Sequence, residues 1–288
     1  MRDENSLKDA ARRRVLGLLL AGGAVPALGV ARADTAAADD GPCNPLLWAL
    51  AWQQTAAEFQ ALCHQAYNLA RLRLDLALAE RRVGDRPLAV ITDMDATILH
   101  ANSYWGYLVE NGMDFFDDAT WDEWLPHNLM TAVPGSRGFF GYCAERDVEV
   151  FYVTSRDQGE HTYDYALAQL VELAFPYADS DHLTVFRDTS DKTPARRSIE
   201  TRFDIALMLG DNLNDFRRDY YVTDVDERLR LMERDRDAWG DDFILLPNPT
   251  DGHWVRAIFG DSEPAATAAN RRRLEQAATR VAWDGGDR

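Results

Sequence analysis

The chain has 288 residues, 46% hydrophobic and 27% charged, a composition that suits one large globular domain or two small ones and excludes disorder, collagen and coiled coil. It carries 48 acidic against 31 basic side chains, a formal charge of −17. Such a surface repels a phosphate backbone, so a nucleic-acid polymer is not an expected partner.

The first element is a leader. Residues 15–30 form the one long apolar stretch, preceded by Arg12-Arg13-Arg14 and followed by Ala31-Arg32-Ala33. It is interrupted by Gly22, Gly23 and Pro26 and falls short of the roughly 20 apolar residues of a spanning helix. A basic start, a short apolar core and an Ala-x-Ala site read as a signal peptide over 1–33, cleaved near Ala33-Asp34. The alternative is an uncleaved N-terminal anchor. The expected mature protein, 34–288, is periplasmic or secreted and free of a membrane anchor, since no cysteine follows the leader closely enough for lipid attachment.

Loss of the leader removes six basic and three acidic side chains and takes the charge to −20. It also leaves Lys192 as the sole lysine, because Lys8 is the only other one. A chain that uses arginine wherever a positive charge suffices places its one lysine where a compact ammonium fits and a planar guanidinium does not. The three cysteines, Cys43, Cys63 and Cys143, form no metal-binding spacing; a Cys43–Cys63 bridge and three free thiols are both open.

From Asn44 to Arg82, apolar residues recur at three- and four-residue steps, from Phe59 through Leu62, Cys63, Ala66, Tyr67 and Ala70 to Leu74, which predicts two helices. Four apolar runs follow, Leu88 to Ile91, Val148 to Val153, Ile205 to Leu209 and Phe243 to Leu246. They are short and apolar on both faces, as central strands of a buried parallel sheet are. Tyr163 to Ala174 and Pro194 to Thr201 suit crossover helices, and the whole reads as an open α/β sheet. Asn102 to Pro134 is an aromatic-rich insertion. Asp224 to Trp239 and Glu263 to Ala282 read as a charged helix and a terminal helix.

Ligands of open α/β sheets bind at the carboxyl ends of the strands. The first run ends in Thr92-Asp93-Met94-Asp95-Ala96-Thr97, where Asp93 and Asp95 point to one side. The third ends in Gly210-Asp211-Asn212-Leu213-Asn214-Asp215-Phe216, where Asp211 leaves the strand and Asp215 lies four residues on along a helix. Any one of these is at home as a turn or cap residue. Together the four repel, by about 4 kcal/mol per pair at 4 Å in an effective dielectric of 20, and such a cluster calls for a divalent cation. Hard oxygen donors completed by substrate phosphate point to Mg²⁺. The second run ends in Val153-Thr154-Ser155-Arg156, where the hydroxyls and the backbone N–H groups suit a phosphoryl oxygen; Lys192 enters the same edge from the loop before a helix.

This order of motifs resembles the haloacid dehalogenase (HAD) superfamily of phosphotransferases. More narrowly, it is similar to the class C acid phosphatases, the bacterial outer-membrane lipoprotein type that acts as a 5′-nucleotidase. LAWQQTAAEFQAL, QAYNLA, YVTSR, GDNLNDF, LPNPTDGHW and AWDG carry the likeness through most of the mature chain. The resemblance implies a Rossmannoid parallel sheet with flanking helices and a small, mainly helical cap, built from 44–82 and 102–134. It implies Asp93 as nucleophile forming an aspartyl phosphate, and Asp95 as the acid and then the base. Thr154 with Ser155, and Lys192, would hold the phosphoryl oxygens. One Mg²⁺ would be bound by Asp93, the backbone carbonyl of Asp95, Asp211 and Asp215. The expected partner is a small phosphomonoester, nucleoside monophosphates among them.

Three departures stand out: no lipidation cysteine, Ala96 where the family has an acid, and Asp251 where it tends to have an aromatic that stacks on the base. Trp121 matches the other face of that clamp, with Tyr104 and Trp105 beside it as substrate-binding candidates. Packing of the insertion by Tyr104, Trp105, Trp121 and Trp124 accounts for the same residues. Other hydrolase chemistries fail on spacing: no cysteine has an arginine six residues on, Ser136 is outside any Gly-x-Ser-x-Gly, and no His-Glu-x-x-His occurs. A phosphotransferase using the same site, and a non-catalytic exported binding protein on this fold, are the competing readings. A carboxyl acid implies an acidic pH optimum.

Overall fold

The computed structural model describes residues 44–283. The expected leader, its cleavage site and Cys43 lie outside them, as does the end of the AWDG segment. Among the described residues no helix is long and apolar enough to cross a membrane.

Strands β1 (Leu88–Thr92), β4 (Glu149–Ser155), β5 (Leu183–Phe186), β6 (Asp204–Gly210) and β7 (Phe243–Leu245) form one parallel sheet in the order β5-β4-β1-β6-β7. All five residues of β1 are buried, as a central strand covered on both faces requires. The four apolar runs are thus strands, each shifted by a residue or two. The fifth strand, β5, was not expected. It lies at the edge, only Leu183 is fully buried, and its alternating Thr and Val carry no continuous apolar run.

Helix α1 (Leu46–Thr55) precedes α2 (Ala57–Glu80), whose buried face is Phe59, Cys63, Ala66, Tyr67, Ala70 and Leu74, the spacing of one helical stripe. This stripe packs α2 on β6, β7 and α5 (Ser136–Ala144), so most of 44–82 belongs to the layer on the sheet. Between β1 and α5 the chain forms the short β2 (Leu99–His100), α3 (Asn102–Glu110), α4 (Asp118–Trp124) and β3 (Thr131–Ala132), with β2 and β3 paired antiparallel. The crossovers α6 (Thr162–Glu172) and α7 (Thr193–Glu200) fall where expected. A single turn, α8 (Leu213–Phe216), follows β6.

The charged segment after Asp224 is shorter as a helix than the charge pattern implies: Asp224 caps α9 (Val225–Arg234), which gives way to a 3₁₀ turn. After α10 (His253–Phe259), the terminal helix α11 runs only Ala268–Ala278, started by the Thr267 cap rather than at Glu263. Arg271 of α11 makes a two-pronged ion pair with the buried Asp114 of the insertion, one prong at 2.9 Å. Asp114→Asn is expected to lower the urea midpoint, and by less than the loss of a fully buried pair would, because Arg271 is half exposed.

Candidate active site

The carboxyl edge of the sheet brings three of the four predicted aspartates together. Asp93 follows β1 and extends its ladder, donating its N–H to Leu209 O of β6 at 3.0 Å. Asp211 follows β6, and Asp215 folds back over it from α8. Oxygens of Asp93, Asp211 and Asp215 all lie within 4.8 Å of one another. Gly210 permits this return: a Cβ there would stand 2.6 Å from Asp215 Cβ and Oδ2. Asp215 Oδ2 is fixed in turn by the N–H of Asn212 at 2.9 Å, the arrangement of a capping box.

Lys192 enters this cluster from the start of α7, fully among carboxylates. Its Nζ hydrogen-bonds Asp93 Oδ1 and lies 2.8 Å from Asp215 Oδ1. Burial opposes the ammonium, but the Asp215 and Asp93 charges outweigh it and hold the proton on more firmly than in water. One ammonium does not neutralise three acids. Burial, then the Asp215 and Asp95 charges, push Asp93 up to about 7 against the pull of Lys192. Asp211 is pushed up as well, by burial and then by Asp215, Asp93 and Asp251. Its oxygens accept from neutral donors only: Thr97 Oγ1 at 3.1 Å, Asn212 Nδ2 at 2.8 Å and Asn248 Nδ2 at 2.7 Å. Unneutralised hard oxygens at this spacing are the donor set of a divalent metal, and the triad fits one.

Asp95 stands apart from the triad. Both its oxygens accept from Arg156, Oδ2 from Nε at 2.6 Å and Oδ1 from Nη2 at 2.7 Å. Thr154 Oγ1 is 3.5 Å from Asp95 Oδ2 at the cavity wall. Ser155, also on the wall, uses its hydroxyl to hold Thr189 O at 3.0 Å and so ties down the loop that delivers Lys192. Ala96 takes φ 54°, a left-handed conformation that turns the chain sharply after Asp95.

The cavity over these groups measures about 570 Å³. Trp105, Phe116 and Trp121 of the insertion and Gln53 of α1 line it, with Asp251 and the 261–263 segment. Of the three aromatic candidates Trp105 and Trp121 line the cavity and Tyr104 does not. Its ring packs edge-on against Trp121 at 4.9 Å inside the insertion, and its hydroxyl both donates to and accepts from the Asp117 backbone. Asp251, for its part, accepts from Asn248 Nδ2 at 2.7 Å, the same amide nitrogen that serves Asp211.

Sequence reasoning assigned no role to Thr97, Arg156, Asn248 or the buried Gln53–His100 pair, whose Nε2 and Nδ1 are 3.3 Å apart. Thr97 bridges β1 and β6 through Asp93 Oδ2 at 3.2 Å and Asp211 Oδ1. Its place four residues after Asp93 was a usable signal. The others become visible only in three dimensions.

A parallel sheet whose carboxyl edge presents a strand-end aspartate, a lysine and two further acids that could hold a metal has the features of a phosphohydrolase of the HAD class. Residues 40–254 match the family model described as HAD superfamily, subfamily IIIB (acid phosphatase). The chain belongs to that family and is a phosphoric monoester hydrolase. Among solved structures it is similar to the class C acid phosphatase from Bacillus anthracis with tungstate bound, with TM-score 0.75 and 28% identity over 81% of this chain and 96% of that one. A second structure of the Bacillus anthracis class C acid phosphatase matches at TM-score 0.75 and 26% identity, over 84% and 98% of the two chains.

Two outcomes follow from this geometry. Gly210→Ala is expected to push Asp215 away from Lys192 and to lower phosphatase activity per folded molecule by about 10²-fold, as for a misplacement near 1 Å, with a fall in melting temperature from the overpacked, disturbed ion pair. At the rim, partial burial and then Asp118, to which it hydrogen-bonds, push the Glu263 carboxyl up to about 7. Between pH ~4.5 and ~7 the folded chain holds more protons there than the unfolded one, so this contribution is complete below pH ~4.5 and disappears as pH rises through 7. Glu263→Gln is expected to flatten that decline in melts between pH 5 and 8; parallel curves for the two proteins would exclude it.

Proposed function

We propose that the chain is an exported, Mg²⁺-dependent phosphomonoesterase working through an aspartyl phosphate on Asp93. The observation that carries this reading is the placing of the buried Asp93 between Lys192 and two further acids at the floor of a cavity.

Asp93 attacks phosphorus as the bond from phosphorus to the leaving oxygen breaks. Asp95 gives that oxygen its proton, and the alcohol departs. Asp95 then takes a proton from water, whose oxygen attacks phosphorus and restores Asp93. Lys192 and Thr154 balance the charge on the phosphoryl oxygens, with Ser155 fixing the Lys192 loop. Asp93, Asp211, Asp215 and the Asp95 carbonyl would hold Mg²⁺, which supplies positive charge for the phosphoryl group when bound.

The cavity volume and the Trp105, Phe116 and Trp121 wall support leaving groups up to the size of a nucleoside, so nucleoside monophosphates belong in the substrate set. Stacking on one such ring is worth about 1–3 kcal/mol. Gln53 of α1 and the insertion 102–134 act as the cap in this reading, while most of 44–82 packs on the sheet.

Phosphate release from p-nitrophenyl phosphate and from nucleoside monophosphates is expected to need Mg²⁺ and to stop on chelation. Asp93→Asn is expected to lower it by about 10³-fold or more. Release that survives either change would overturn the mechanism.

A further inference from the structure

Arg156 is a buried cation at the sheet edge that the mechanism above leaves without work. It follows the last residue of β4, and its N–H extends the ladder to Phe186 O of β5 at 2.9 Å. Its side chain is 2% exposed. Nη1 donates to Oε1 of the buried Gln169 on α6 at 2.7 Å, and Nη2 also reaches Met130 Sδ at 3.7 Å. The remaining donors grip Asp95 two-pronged, and Asp95 is one-third exposed toward the cavity.

We propose that Arg156 is the positioning residue of the acid–base step: its fork holds the Asp95 carboxyl at the leaving-oxygen side of Asp93. The proposal rests on Asp95 being the acid. A fork of this kind occupies one lone pair on each carboxylate oxygen and leaves the others for the transferred proton. The guanidinium is fixed by Gln169 from behind, so it orients Asp95 instead of following it. Four of its five N–H groups are engaged by Asp95, Gln169 and Met130, which assigns the phosphoryl charge to Lys192 and leaves Arg156 to the acid. The plane of the fork also sets the direction in which Asp95 faces, as a single ammonium would not.

The step this governs is proton transfer to the leaving oxygen as its bond to phosphorus breaks. An alkoxide needs that proton in the transition state, and a p-nitrophenolate hardly does. The readout is therefore the ratio of kcat/KM for glycerol phosphate to kcat/KM for p-nitrophenyl phosphate, which covers events up to aspartyl-phosphate formation. A ratio within one preparation does not depend on how much of the variant is folded.

Asp95→Asn is expected to lower the ratio by about 10-fold or more, within the range of acid catalysis. Arg156→Met is expected to lower it to a similar extent, Arg156→Lys to restore part of it, and Gln169→Leu to move it the same way by less. If Asp95→Asn leaves the ratio unchanged, Asp95 is not the acid and the proposal falls with that reading. If Asp95→Asn lowers it while Arg156→Met depresses both substrates equally or raises the ratio, the proposal alone is overturned and Arg156 is a packing residue.

Discussion

Crowded negative charge at the end of a parallel sheet is the constraint from which the rest of the molecule follows. Asp93, Asp211 and Asp215 converge within 4.8 Å, and among the described residues the cation placed between them is the chain's only lysine there. The choice of side chain is physical. An ammonium is small enough to donate to Asp93 and Asp215 at once, from two directions. A guanidinium lies flat against one carboxylate, which is how Arg156 meets Asp95. The two acids of the Asp-x-Asp pair therefore receive different cations, Asp93 the ammonium of Lys192 and Asp95 the fork of Arg156, and the proposed division of tasks between them rests on that difference.

The fold makes that crowding tolerable by supporting each acid from a second layer. β1 lies between β4 and β6, so its end is the one place where groups from both neighbours meet. Thr97 spans the β1 and β6 acids, and Tyr67 of α2 donates its hydroxyl to Thr97 O at 2.6 Å, anchoring the loop from behind. Gly252 serves a similar end. At φ 109° it lets the backbone pass close to Asn212, which accepts from the His253 N–H at 2.7 Å; a Cβ would stand 2.3 Å from Asn212 Oδ1. Residues far apart in the chain are thereby tied to the same few carboxylates.

What the sequence makes legible is what has a period or a fixed place on a strand. Buried strands are continuous apolar runs, so β1, β4, β6 and β7 could be read, and with them Asp93, Asp95 and Asp211 at their ends. An edge strand such as β5 buries little and leaves no such run. Arg156 escapes for another reason: it is adjacent to the Thr154-Ser155 pair, yet its partners are 61 residues back and 13 forward. Nothing local distinguishes an arginine that will be buried from one that will face water. The charged helix α9 shows the reverse error, since charge continued past Arg234 while the α-helical hydrogen bonding gave way to a 3₁₀ turn.

The aromatic insertion divides on the same physical ground. A phenol or indole can present a face to a ligand only if its own polar atom and its other face are already accommodated. Tyr104 is accommodated on all sides, by Asp117 and by its neighbouring rings, and so becomes the insertion's core. Trp105 and Trp121 rest against it and keep a side for the cavity. Across from them Asp251 is not a free charge awaiting a ligand. The Asn248 amide that holds it also holds Asp211, so a substitution at Asp251 alters the hydrogen bonding of a triad acid as well as the shape of the cavity. Asp251 on the cavity wall and Asp211 at the sheet edge are coupled through that one amide, and a change at the first reaches the second.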